Sequence, residues 1–193
     1  MIYLILGLVL FLGAHFAILF RGLRTAVLAR LGRNIWRSII GLCAFAGLIL
    51  IAYGFSQYRT HGYITIYTPP LVFRHLALIL NLPIFVLVIS AYLPGNIRGK
   101  LKHPMLVAIK LWATAHLFAN GDLGGIILFG SILAWAVIAR IAVKKREVLE
   151  GAQAEILAPH AFRNDLIAIL LGLLLYLLVF KWLHMMLIGV QPL

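Results

Sequence analysis

Five histidines and two lysines stand in long apolar runs of this sequence: His15, His75, His103, His116 and His184, with Lys110 and Lys181. Inside a bilayer an ionisable side chain costs a few kcal/mol or more, so such residues are expected to face an interior and have a task there. The chain has only five Asp and Glu, and they fall outside the apolar runs. Hard divalent cations and di-iron centres need carboxylate oxygens, so neither fits. A Ser-His-Asp hydrolase and an acid-driven proton relay are unsupported for the same reason. Imidazole without carboxylate favours haem iron, and less readily zinc or copper.

The stretch "KHPMLVAIKLWATAHLFANGD", Lys102 to Asp122, holds three of these residues. On one helix, His103 and His116 would lie about 20 Å apart along the axis and roughly 140° apart around it. They cannot share a metal, nor line one face as in two-haem b-type cytochromes, so each needs partners on other helices. His103 precedes Pro104 at the membrane boundary, where capping a helix or meeting lipid headgroups is sufficient occupation. Lys110 is nearer mid-span, where a haem propionate or an internal carbonyl could be its partner. Lys181 can snorkel to an interface. His61 and His160 fall in loops. Trp112, Trp135 and Trp182 read as packing or interfacial residues, and Cys43 as a small buried hydrophobe.

The elements that must position these side chains follow from hydropathy. Of 193 residues 64% are hydrophobic, and the mean hydropathy is +1.06, outside the range of soluble domains. Apolar runs of about 20 residues predict an all-α, polytopic transmembrane helix bundle rather than a barrel. About six spans are expected, near 2–20, 35–56, 70–93, 104–120, 123–143 and 166–188, in a single domain covering 1–193. The first run lacks a basic leader region and a small-residue cleavage pattern, which predicts a retained helix. One cysteine excludes a disulfide framework, a CxxC zinc knuckle and a CxxCH haem attachment, so any cofactor is held non-covalently.

Most of the 17 Lys and Arg fall in the segments 21–37, 94–103 and 140–165, whereas the opposite side has Arg59 and Arg74. The positive-inside rule then sets both termini on the non-cytoplasmic side. The net charge of +12 points to anionic membrane lipids as partner, not nucleic acid. With this topology His75, His116 and His184 fall in the outer half, and His15 and His103 toward the cytoplasm. Depth alone therefore favours pairing His75 with His116 or His184. "YTPP", Tyr67 to Pro70, predicts an extended lead into the third span. Lys144 to Arg163, with Glu147, Glu150 and Glu155, is the longest polar piece and too short for a domain.

The segments "LGAHFAILFRGLR", "YTPPLVFRHLAL" and "KHPMLVAIKLWATAHLFANGDLGGIILFG" resemble the NnrU family of bacterial membrane proteins, which is similar in turn to the 15-cis-zeta-carotene isomerases of plants and cyanobacteria. The His-Pro followed by Trp-x-x-x-His is the most specific part. The resemblance implies a non-covalent haem b with His15 and His116 as axial ligands and a place in the bacterial inner membrane, and Lys110 and Trp112 join them as candidate cofactor-binding residues. It also implies an association with denitrification and nitric oxide. The isomerases carry a redox-exchanging cysteine just after the tryptophan; here that residue is Ala113. Two further roles are compatible with the same motifs: a haem-dependent cis–trans isomerase of a carotenoid-like polyene, and a cofactor-free accessory subunit of a respiratory complex.

Overall fold

The computed structural model describes residues 1–149 and 160–190, and the regular structure of these residues is helical apart from an isolated bridge between Thr65 and Asp122. The helices are α1 Ile2–Leu19, α2 Arg21–His61, α3 Leu71–Asn81, α4 Ile84–Ser90, α5 Asn96–Leu101, α6 Pro104–Ala119, α7 Leu123–Leu149, α8 Ala161–Leu178 and α9 His184–Ile188. A π-helical turn, Val179–Leu183, joins α8 to α9. Among the described residues five helical stretches are long and apolar enough to cross a membrane: α1, α2, α3 with α4, α7, and α8 through Met186. The apolar helix α6 is shorter, at 16 residues. Helices suit this composition because hydrocarbon offers backbone groups no partner outside the segment itself.

The chain forms two compact units, Met1–Tyr67 with Gly121–Val143, and Thr68–Asn120 with Lys144–Leu193. In the first unit α1 and α2 run antiparallel and touch backbone to backbone through glycine. A Cβ on Gly7 would stand 2.6 Å from the Ile51 nitrogen, and one on Gly47 would stand 2.6 Å from the Phe11 nitrogen. One on Gly54 would overlap the Leu4 backbone. Without a hydrophobic drive between helices in lipid, such small-residue contact supplies the packing energy.

The segment 21–37, expected as a loop, is helical instead. Its Ala, Leu and Arg content favours helix, and the break is confined to Gly32 (φ 78°, ψ 167°), a conformation open essentially to glycine. The expected second span of 35–56 is accordingly longer at both ends.

The far end of this unit is held by Tyr58, which is 1% exposed. Its hydroxyl accepts from Ile64 N at 3.0 Å and donates to Ile64 O at 3.2 Å. Gly124 of α7 leaves room for the ring, which a Cβ there would strike. The segment 64–67 in turn pairs with the "NGD" turn, as Ile66 N and Tyr67 N donate to Gly121 O at 2.8 and 3.0 Å and Leu123 N to Ile64 O at 2.9 Å. Asp122, 3% exposed, caps α7 by accepting from Gly125 N at 2.8 Å. Tyr58→Phe leaves Ile64 N without its acceptor, while Ile64 O keeps the Leu123 N–H, and is expected to lower stability by about 1–3 kcal/mol, read from unfolding in detergent.

In the second unit the expected span 70–93 is one apolar stretch, Leu71–Ser90, whose helix is interrupted at Pro83. Pro83 has no N–H to continue the ladder, and α3 ends at Asn81 while α4 begins at Ile84. The "YTPP" lead is extended at Pro70 as expected (φ −62°, ψ 154°). A Cβ on Gly172 would come within 2.5 Å of Val86 N, which sets α8 directly on α4. Ile84 and Leu87 of α4 pack with Ala108 of α6 in a core that Trp112 helps to close.

The short α5, expected as loop, is capped from a distance. The Asp165 carboxylate accepts from Asn96 N at 2.9 Å, Asn96 Nδ2 at 2.8 Å and Ile97 N at 3.1 Å. Asp165→Ala strands two backbone amides and the Asn96 side-chain amide at this buried site, and an expected loss of about 2–3 kcal/mol can be read by thermal unfolding. Helix α7 runs beyond the expected 143, and α8 begins before the expected 166. Of the polar piece Lys144 to Arg163, residues 150–159, with Glu150 and Glu155, lie outside the described residues.

Candidate functional site

His15 lies half-buried on α1, in the first unit. Its Nδ1 donates to Phe11 O at 2.8 Å, one turn back along the helix. The ring lies against Phe11, with centroids 4.4 Å apart, and meets Trp135 of α7 edge-on at 5.2 Å. A carbonyl oxygen can only accept, so the proton is on Nδ1 and the neutral ring's lone pair is on Nε2. Beside it, the buried Trp135 Nε1 has no hydrogen-bond partner.

His116 repeats the arrangement on α6, in the second unit. Its Nδ1 donates to Trp112 O at 2.8 Å, and the two rings are 4.9 Å apart. The ring is thereby fixed in the same tautomer. Asn120 Nδ2 donates to His116 O at 2.8 Å where the helix ends. The preceding residues, Ala14 and Ala115, are both buried. "FLGAH" and "WATAH" thus share one pattern, an aromatic residue, two spacers, alanine and histidine. The sequence reading singled out only the second. The signal in the first was its spacing, and the Trp135 contact had no signal in sequence at all.

The other candidates divide. His184 begins α9 in the same unit as His116, and its Nδ1 lies 2.6 Å from Val190 O. His75 is exposed on α3. His103 neither caps α6 with its side chain nor waits for a headgroup, since its Nε2 pairs with the Glu147 carboxylate on the last turns of α7. That pairing was unreadable while α7 was expected to end at 143. Lys110 is half-buried on α6, and Lys181 is exposed in the π turn. His61 and His160 are exposed. Cys43 is half-buried and a free thiol. Ala113, where the isomerases carry cysteine, is fully buried.

Among the described residues no three His, Cys, Asp or Glu gather into a metal-binding group. Among the described residues, five helical stretches long and apolar enough to cross a membrane, with imidazoles oriented by the carbonyls of their own helices, give the chain the character of a helical membrane protein. The chain belongs to the NnrU family, whose model, described as NnrU protein, matches residues 3–192. No curated protein and no solved structure matches it significantly.

Proposed function

We propose that this protein binds haem b non-covalently in the bacterial inner membrane, with His15 and His116 as axial ligands. The observation that carries the reading is the shared geometry of these two residues: each gives its Nδ1 proton to the carbonyl one turn back, which directs the Nε2 lone pair outward. A backbone carbonyl on the second ring nitrogen is the usual device for orienting a ligating imidazole and raising its basicity. The donor set fits haem, which needs two such nitrogens and no carboxylate ligand. The orphaned Trp135 N–H beside His15 offers a donor to a bound group.

The bound haem would supply electron exchange or an encounter with nitric oxide, in line with the family's association with denitrification. The chain's part is to hold two imidazoles in one tautomer and to keep water away with apolar helices. Trp112 would pack beside the group, and Lys110 would answer a propionate. Six spans, with α6 as the short one at roughly 24 Å, give the topology with both termini outside the cytoplasm. The cis–trans isomerase reading is weakened by Ala113, which supplies no exchangeable thiol.

A second ligand pairing, His116 with His184, is favoured by their place in one unit. Pyridine haemochrome analysis of the purified full-length protein tests the reading. A haem b signal near one per chain, with a low-spin oxidised spectrum, is expected. Protein that stays colourless under ample haem supply would instead support an accessory subunit without cofactor.

A further inference from the structure

The connection between α1 and the long arm of α2 folds around a cavity of about 580 Å³. Ile18 from the end of α1, Arg24 and Leu28 from the short arm before Gly32, and Arg33, Trp36 and Arg37 from the long arm after it line the space. Gly32 makes the convergence possible, because its φ of 78° turns the chain between the two arms. A Cβ at that position would meet nothing within 4 Å, so the requirement for glycine there is one of backbone conformation alone.

Three arginines therefore line one hollow, and among the described residues no carboxylate lines it with them. Arginine stays charged at any physiological pH, so the repulsion cannot be relieved by losing a proton. The first unit cannot supply the counter-charge either. No Asp or Glu precedes Asp122 in the sequence, and Asp122 is buried as the cap of α7. Among the described residues of this unit no exposed carboxylate meets these arginines, so an anion docking from outside the unit suits the hollow.

The other walls say what kind of anion. Ile18, Leu28 and Trp36 are apolar or amphipathic, and the cavity begins where the apolar run of α1 ends. Around it Phe20, Leu23, Leu31 and Ile35 are exposed, as suits residues dipping into lipid. A small hydrated anion would gain nothing from such walls, whereas an amphiphile with a phosphate head would use both parts. Arginine is the side chain best matched to phosphate oxygens, and tryptophan favours the headgroup level. Basic pockets between helices at the membrane surface are known as headgroup sites.

We infer that this cavity binds the phosphate headgroup of an anionic phospholipid, with Arg24, Arg33 and Arg37 on the phosphate and Ile18 and Trp36 along the start of the acyl chains. The inference stands apart from the haem reading and shares no residue with it.

Trp36 provides the test. The full-length protein and its Trp36→Phe variant are reconstituted in phosphatidylcholine vesicles containing either brominated phosphatidylglycerol or brominated phosphatidylcholine, and the difference between them gives the Trp36 signal. Quenching is expected to be several-fold stronger with the anionic lipid at equal mole fraction. Raising potassium chloride should erode that preference in the intact protein. Arg33→Gln with Arg37→Gln should abolish it, while Arg59→Gln leaves it in place. Equal quenching by the two lipids in the intact protein, or a preference indifferent to salt, overturns the proposal. So does suppression by inorganic phosphate alone, which would identify a site for the free anion. Loss of haem with an unchanged lipid preference in the arginine variants overturns it too, because the cavity would then serve the cofactor.

Discussion

His116→Ala is expected to strip the purified protein of its low-spin haem spectrum and to reduce the haem retained per chain by at least about tenfold. Loss of a hydrogen-bond partner behind a ligand typically costs about 10–100-fold in metal affinity, and here the proposed ligand itself goes. His15→Ala should do the same. Trp112→Leu provides the sharper contrast, because it removes the ring but keeps the Trp112 carbonyl that accepts the His116 Nδ1 proton. If the backbone bond orients the imidazole, this variant keeps a low-spin spectrum with at most a modest loss of affinity. His61→Ala and His160→Ala alter exposed residues and should leave the spectrum untouched. Circular dichroism checks that helicity survives in each case. Retention of the parental spectrum in His15→Ala together with its loss in His184→Ala would transfer the second ligand to α9. Full haem content in the His116 variant would sink both pairings.

The second large effect is expected at Gly54. Leucine there must displace the backbone of α1 at Leu4, not the tip of a side chain, and backbone has nowhere to rotate. Overpacking usually costs about 1–3 kcal/mol, and this contact should reach the upper end or prevent assembly of the α1–α2 pair. Gly13→Ala and Gly41→Ala are matched controls, since a Cβ at either position meets nothing within 4 Å. Both lie within helices, where alanine is favoured over glycine by about 0.5–1 kcal/mol, so they should be neutral or slightly stabilising. Unfolding in detergent followed by circular dichroism reads the difference. A Gly54→Leu protein as stable as its parent would refute the close approach of the two helices.

How far these features were legible in the sequence depended on the range of the interaction. Hydropathy alone located the apolar helices, and α6 begins at the expected Pro104, since proline suits a first helical position. The division at Pro83 was also local and could have been read, because a proline inside an apolar run removes one ladder bond. The segment 21–37 carries a loop signal in its clustered arginines and a helix signal in the propensity of its Ala, Leu and Arg, and the second prevails. No local signal could reveal that Asp165 caps α5 or that Glu147 meets His103, since each pairing joins residues distant along the chain. The site divided along the same line. The tautomer of His116 follows from the helix it stands in, whereas the setting of His15 against Trp135 is a matter of tertiary packing.

The lack of any acid before Asp122 bears on how the chain is made. A ribosome releases α1 and α2 as a pair already able to close on their glycines, with Arg21, Arg24, Arg30, Arg33 and Arg37 gathered at the bend between them. Nothing synthesised up to that point offers these cations a carboxylate. The membrane's own charge asymmetry therefore acts on the nascent hairpin unopposed, and the orientation of the later helices is inherited from a choice made before the first carboxylate leaves the ribosome.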